Sequence, residues 1–243
     1  TLDLNLSIKG FGGLDVLPDF QNVTFGYDKI LQGEINLIYE FVKKSLGFVD
    51  EEKGIKFSLS TPLTYVNSEL YPKFYSTLDL GFTLPLNHSS IWFRNAFGAS
   101  KGNRSDSFAS YYFGGFGNNY IDHKNEKRYR EYYSFPGVEI DEIGGLNFAK
   151  SLLELNLPPI RFRQVGTPWC YVRWVRTALF GSGIVTDIDS EDLRTYYLNM
   201  GAQIDFEMVI LSLLKTTFSA GFAIARDEKN NYSEEIMISL KIL

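Results

Sequence analysis

"RTYYLNMGAQIDFEMVI", residues 194–210, decides the fold. Every second residue from Tyr196 is apolar: Tyr196, Leu198, Met200, Ala202, Ile204, Phe206 and Met208. Between them stand Tyr197, Asn199, Gly201, Gln203, Asp205 and Glu207. A period of two is the mark of a strand and not of a helix. The alternation holds for thirteen residues, 196–208, where a strand of a soluble protein is commonly about 5–6 residues long. A bilayer needs about 9–11 tilted residues per strand, apolar towards lipid and polar towards a wet interior. That is the environment this stretch fits.

The same pattern recurs on both sides of it. Residues 2–10, 30–43, 54–66, 73–84 and 90–99 alternate before a long interruption, and residues 147–157, 169–180, 213–225 and 233–242 alternate after it. With 194–210 this makes about ten strands. Several carry a charge in mid-strand on the polar face: Glu34, Asp79, Glu154 and Asp205. A hydrated lumen accepts such charges at little cost, and lipid on the other face demands that every backbone group be paired. The fold expected is therefore all-β, an antiparallel transmembrane β-barrel of about ten or more strands, with a long loop after residue 100. A soluble sandwich with one wet face is the alternative. It accounts for the alternation but not for the strand length or for the 20 Phe, 15 Tyr and 3 Trp.

Composition excludes several classes. The 243 residues carry a net charge of −5, which does not suit a nucleic-acid partner. The lone Cys170 rules out an intramolecular disulfide, and His88 and His123 lack a second ligand at metal-binding spacing, so no metal or cofactor is expected. No run of about 18 apolar residues forms a membrane helix. A mean hydropathy of −0.11 is what a barrel shows when half of each strand is polar. No Gly-x-Ser-x-Gly elbow, phosphate-cradling loop or His-Glu-x-x-His is present, so no catalytic residue is assigned and an enzyme is not expected. The connections 209–212, 158–167, 85–89 and 44–53 are expected at one end of the strands, and 11–28, 67–71, 100–145, 181–193 and 226–232 at the other.

The interruption, residues 108–145, is rich in Gly and Tyr, which suggests an ordered loop. Its basic run, Lys124, Lys127, Arg128 and Arg130, reads as a solvated tip, with acidic headgroups or a partner as the sharper alternative. "YYFGGFGNN" (111–119), followed by "FPGVEIDEIGGLNFAKSLLELNLP" (135–158), resembles the bacterial surface antigen family of outer-membrane insertases, the BamA- and TamA-like barrels. In that family an aromatic-x-Gly-Gly segment leads from a strand into a loop folded back into the lumen, and a Leu-Glu-hydrophobic strand ending near Pro follows. The matching positions are Phe113, Gly114 and Gly115, then Leu153-Glu154-Leu155 with Pro158. Four strands follow, as in the family. Two positions depart from it. Where the family places an Arg-Gly pair, Gly117, Asn118, Asn119 and Tyr120 stand here. Where it places an acid on the next strand, 174–179 has none.

The resemblance implies a loop and lumen motif of Phe113, Gly114, Gly115, Gly117, Asn118 and Glu154, and Arg173 is expected to line the lumen. It implies residence in the bacterial outer membrane, contact with outer-membrane lipids and lipopolysaccharide, and other outer-membrane or periplasmic subunits as partners. The function expected is outer-membrane protein assembly or export, alone or as a barrel subunit. The alternative is a passive pore or the membrane anchor of a larger surface protein. The chain is expected to be one barrel domain, residues 1–243, the C-terminal part of a longer protein.

Overall fold

A computed structural model describes residues 1–13, 27, 29–45, 49–116, 127–167 and 169–242. The strands are β1 (Leu2–Phe11), β2 (Ile30–Lys43), β3 (Lys53–Val66), β4 (Glu69–Thr83), β5 (Ser90–Ser100), β6 (Tyr111–Phe113) and β7 (Ile143–Gly145). They continue with β8 (Asn147–Asn156), β9 (Ile160–Thr167), β10 (Cys170–Thr186), β11 (Thr195–Ile210), β12 (Leu214–Asp227) and β13 (Tyr232–Ile242). Ten of them form one antiparallel path, β1-β2-β3-β4-β5-β8-β10-β11-β12-β13, and β9 adds to β10 as the eleventh strand of the sheet. The small hairpin β6–β7 stands apart within the long loop.

Each long strand presents its apolar residues to one face. Leu6 lies opposite Ile35, Ile204 opposite Ala220, and Phe222 opposite Ile236. This outward face is exposed along the whole sheet: Leu2, Leu4, Leu6 and Ile8 are 70–73% accessible, and Ile236 and Ile238 are 74% and 71%. Where it does carry polar groups in mid-strand they satisfy each other, as when Ser151 Oγ donates to Asn95 Oδ1 at 2.8 Å. The opposite face holds the charges, and the sheet curls so that this face is concave. A single loop reaches strands far apart in the sheet order. Tyr111 Oη donates to the Phe74 carbonyl at 2.7 Å, Asn199 Nδ2 to the Pro136 carbonyl at 2.8 Å, and the Gly137 amide to Glu235 at 3.0 Å.

The sheet does not close into the barrel expected from the sequence. β1 pairs with β2 alone and β13 with β12 alone, so among the described residues two edges stay open. The reason lies in the filling. About eight strands enclose an interior that side chains alone can fill; here a loop with its own hairpin occupies the concave side. Ten strands spread around that filling do not meet.

Two connections also differ from expectation. Residues 158–167, read as a connection between strands, contain β9, which continues the line of β8 after the break Leu157-Pro158-Pro159 and pairs with the first residues of β10. Residues 181–186, read as loop, complete β10 by pairing with both β8 and β11.

A loop latched into the concave face as the candidate functional site

The register of the strands sets the site. Asp79 on β4 lies opposite Arg94 on β5, and Arg176 on β10 lies opposite Asp205 on β11. Both pairs are hydrogen-bonded ion pairs, as cross-strand neighbours of opposite charge permit, with Arg176 Nε donating to Asp205 at 2.7 Å. Glu154 on β8 is diagonal to Arg94 and accepts from its Nε at 2.9 Å. Glu154 is fully buried. An ionised carboxylate in that position must be surrounded by donors.

The long loop supplies them. A single 3₁₀ turn at Arg128–Arg130 carries Tyr129 and Arg130 down onto the sheet. Arg130 Nε donates to Glu154 at 2.9 Å, and its Nη2 meets the other carboxylate oxygen, a two-pronged contact. Lys127 Nζ lies 3.2 Å from Glu154 and also donates to Asn156. Asp50, from the β2–β3 connection, closes the group at 2.7 Å from Arg130 and 3.1 Å from Lys127. Four cations (Lys127, Arg130, Arg94, Arg176) thus face four carboxylates (Asp50, Glu154, Asp79, Asp205). Tyr129 stacks on Phe180 with ring centroids 4.2 Å apart, and Lys150 donates to the carbonyls of Glu131, Tyr132 and Ser134.

The loop groups titrate accordingly. Burial pushes the Asp50 carboxyl up, but Arg130, Lys127 and Arg176 outweigh it and hold the group well below the usual carboxylate range. Burial, aided by Arg130, pushes the Lys127 ammonium down to about 8 in spite of Glu154 and Asp50.

Phe113, Gly114 and Gly115 anchor the upstream arm of the loop. Phe113 is fully buried, edge-on to Phe148 at 4.6 Å. Gly114 has φ 158°, and a Cβ there would stand 1.9 Å from the Glu139 carbonyl oxygen. Gly115 exchanges backbone hydrogen bonds with Val138 and Phe135, each at 2.9 Å. Gly117, Asn118 and Lys124 lie outside the described residues. Arg173 is not in the charge cluster. At the bulge between Val172 and Trp174 it pairs with Glu207 at 2.6 Å and walls a cavity together with Trp174; its side chain is 46% accessible. Arg176 takes the inner position.

Of the cluster, the sequence marked Glu154, Asp79 and Asp205 as mid-strand charges. It missed Arg94 and Asp50, and it read Lys127 and Arg130 as a solvated tip although Lys127 is 2% accessible. The usable signal was charge balance: inward carboxylates at Asp79, Glu154 and Asp205 require cations from somewhere. A cavity of about 730 Å³ remains beside the latch, walled by Lys56, Asp79, Arg94, Tyr132 and Lys150. Among the described residues no group of three or more His, Cys, Asp or Glu is placed to hold a metal ion. No protein-family profile, curated protein or solved structure matches this chain.

Proposed function

We propose that this chain is the membrane-embedded part of a bacterial outer-membrane barrel of the surface antigen type, acting in the assembly or export of outer-membrane proteins or as a barrel subunit of such a machine. The supporting observation is the outward face: a ten-strand surface of exposed Leu, Ile and Phe whose backing is charged and loop-filled. Water tolerates apolar patches of a few hundred Å² on a monomer; a sheet of this extent calls for hydrocarbon. In lipid an open edge is untenable, since each unpaired backbone group costs several kcal/mol. The free edges of β1 and β13 therefore call for further strands, from the same protein or from a client, and that is what a strand-accepting barrel offers. The role is non-catalytic: backbone pairing at the edges does the work, and the latched loop keeps the lumen filled.

Photo-crosslinkers placed at Ser7 on β1 and at Met237 on β13, in cells making outer-membrane proteins, test this. Adducts to newly made barrel proteins are expected at both positions. Adducts confined to lipid, or to one unchanging neighbour, contradict it. A second reading, a passive pore or anchor, is favoured by the cavity of about 730 Å³ beside the latch. Steady single-channel conductance from the wild-type chain in planar bilayers would support the pore.

A further inference from the structure

We infer that the tyrosine-walled pocket beside β4 binds an acidic sugar, a pyranose ring that carries a carboxylate. A cavity of about 480 Å³ opens there, within the range of about 300–1,000 Å³ usual for small-ligand sites. Five of its nine wall residues are tyrosines: Tyr75, Tyr111, Tyr112, Tyr132 and Tyr133. Strand β4 and the long loop build it together. Tyr75 stacks on Tyr132 with ring centroids 4.4 Å apart, and Tyr132 meets Tyr133 edge-on at 5.2 Å. Tyr111 is pinned by its hydroxyl, which accepts from the Phe74 amide at 3.1 Å and donates to the Phe74 carbonyl at 2.7 Å. The walls are set before a ligand arrives, which lowers the ordering cost of binding.

The second observation is charge. Among the described residues Lys73 is the one cation on this wall, and no Asp or Glu lines it. Lys73 Nζ donates to the Ser110 carbonyl at 2.6 Å and lies 5.0 Å from the centre of the Tyr111 ring. An ammonium has three N–H donors, and those left over suit a carboxylate. Tyrosine offers a flat apolar ring and a hydroxyl together. The matching ligand is apolar on its ring faces and polar at its rim, which describes a sugar. Other ligands fit less well. A peptide strand finds no edge here, since β3, β4 and β5 each have a strand on both sides. A base finds no slot between Tyr75 and Tyr132, which already stack, and a net charge of −5 does not suit nucleic acid. Lys73 and Tyr75 flank Phe74 of the exposed apolar face, so they point to the concave side, away from that surface. This inference does not rest on the assembly reading, because the site needs only the folded sheet and its loop.

The test uses the full chain folded in zwitterionic detergent, titrated calorimetrically with trigalacturonate. On the unaltered protein it should bind about tenfold or more tighter than its methyl ester, which keeps the rings and removes the charge. Lys73→Gln should bring acid and ester to the same affinity, and Tyr112→Ala, at an exposed position, should weaken both. The comparison of two ligands on the unaltered protein keeps the test independent of whether the variants fold. Equal affinity for acid and ester overturns the proposal. So does the absence of binding at millimolar concentration, or citrate binding as tightly as trigalacturonate, because charge alone would then be read. Displacement of bound trigalacturonate by lipopolysaccharide assigns the sugar to a membrane glycan and retention assigns it to a free polysaccharide; both support the site.

Discussion

At the scale of single residues, Glu154 holds the latch. It is buried and meets Arg94, Lys127 and Arg130 together. Removing one partner of a buried charge network leaves the others uncompensated, at about 3–5 kcal/mol. Glu154→Ala should therefore free the loop, seen as new proteolytic cleavage around residues 127–131 and a lowered urea midpoint. Arg173→Ala, which removes a half-exposed pair, should cost about 0–1 kcal/mol. The pH dependence follows from the loop groups. Asp50 has a depressed folded pKa, so its contribution is present above 3.8 and is lost only as pH falls well below that value. Lys127 has a folded pKa of about 8 against 10.5 in the open chain, so between these values the folded form carries the fewer protons and stability rises with pH. Urea midpoints at pH 8 and pH 10.5 should rise more for the wild type than for Lys127→Met; an equal change in both would refute the assignment. None of this was readable from the local sequence. Arg130 and its partner Asp50 lie 80 positions apart, and a basic run between glycines and tyrosines looks the same whether water or a carboxylate receives it.

At the scale of elements, the alternation carried most of the fold. The stretch 30–43 matches β2 end to end, and 194–210 is β11 with only Arg194 left over. These strands are legible because one face is apolar without interruption, and a slip of one residue would reverse it. β9 was not legible. Pro158-Pro159 announces a turn, and Arg161 and Arg163 alternate with too few apolar residues to mark a buried face. Arg173 walls a cavity together with Trp174 and Arg176, and only the bulge beside it, which shifts the two-residue period, was hidden from sequence spacing. The hairpin β6–β7 depends on Gly114, whose φ of 158° and closeness to the Glu139 carbonyl leave no place for a side chain. Gly114→Ala should cost about 1–3 kcal/mol, concentrated in the loop. Proteolysis of residues 108–145 should accelerate while the far-ultraviolet strand signal of the long sheet stays intact.

At the scale of the whole molecule, the two faces of one sheet differ in what covers them. The concave side is filled by the charge cluster, Tyr129 and the loop, and among the described residues the apolar side chains of the convex side stay exposed along the sheet. The edges of β1 and β13 stay open among the described residues, on either side of the loop-filled face. The most direct test asks what touches the convex side. Single cysteines, in a chain with Cys170→Ser, are placed at Leu198, Met200, Ile204 and Phe206 and at Ser7, Tyr197 and Glu207, then labelled with an environment-sensitive fluorophore. The protein is folded into vesicles whose acyl chains carry bromine. Strong quenching at the first four positions and little at the other three is the predicted result. Uniform quenching, or a chain that stays monodisperse in buffer without detergent, would contradict it.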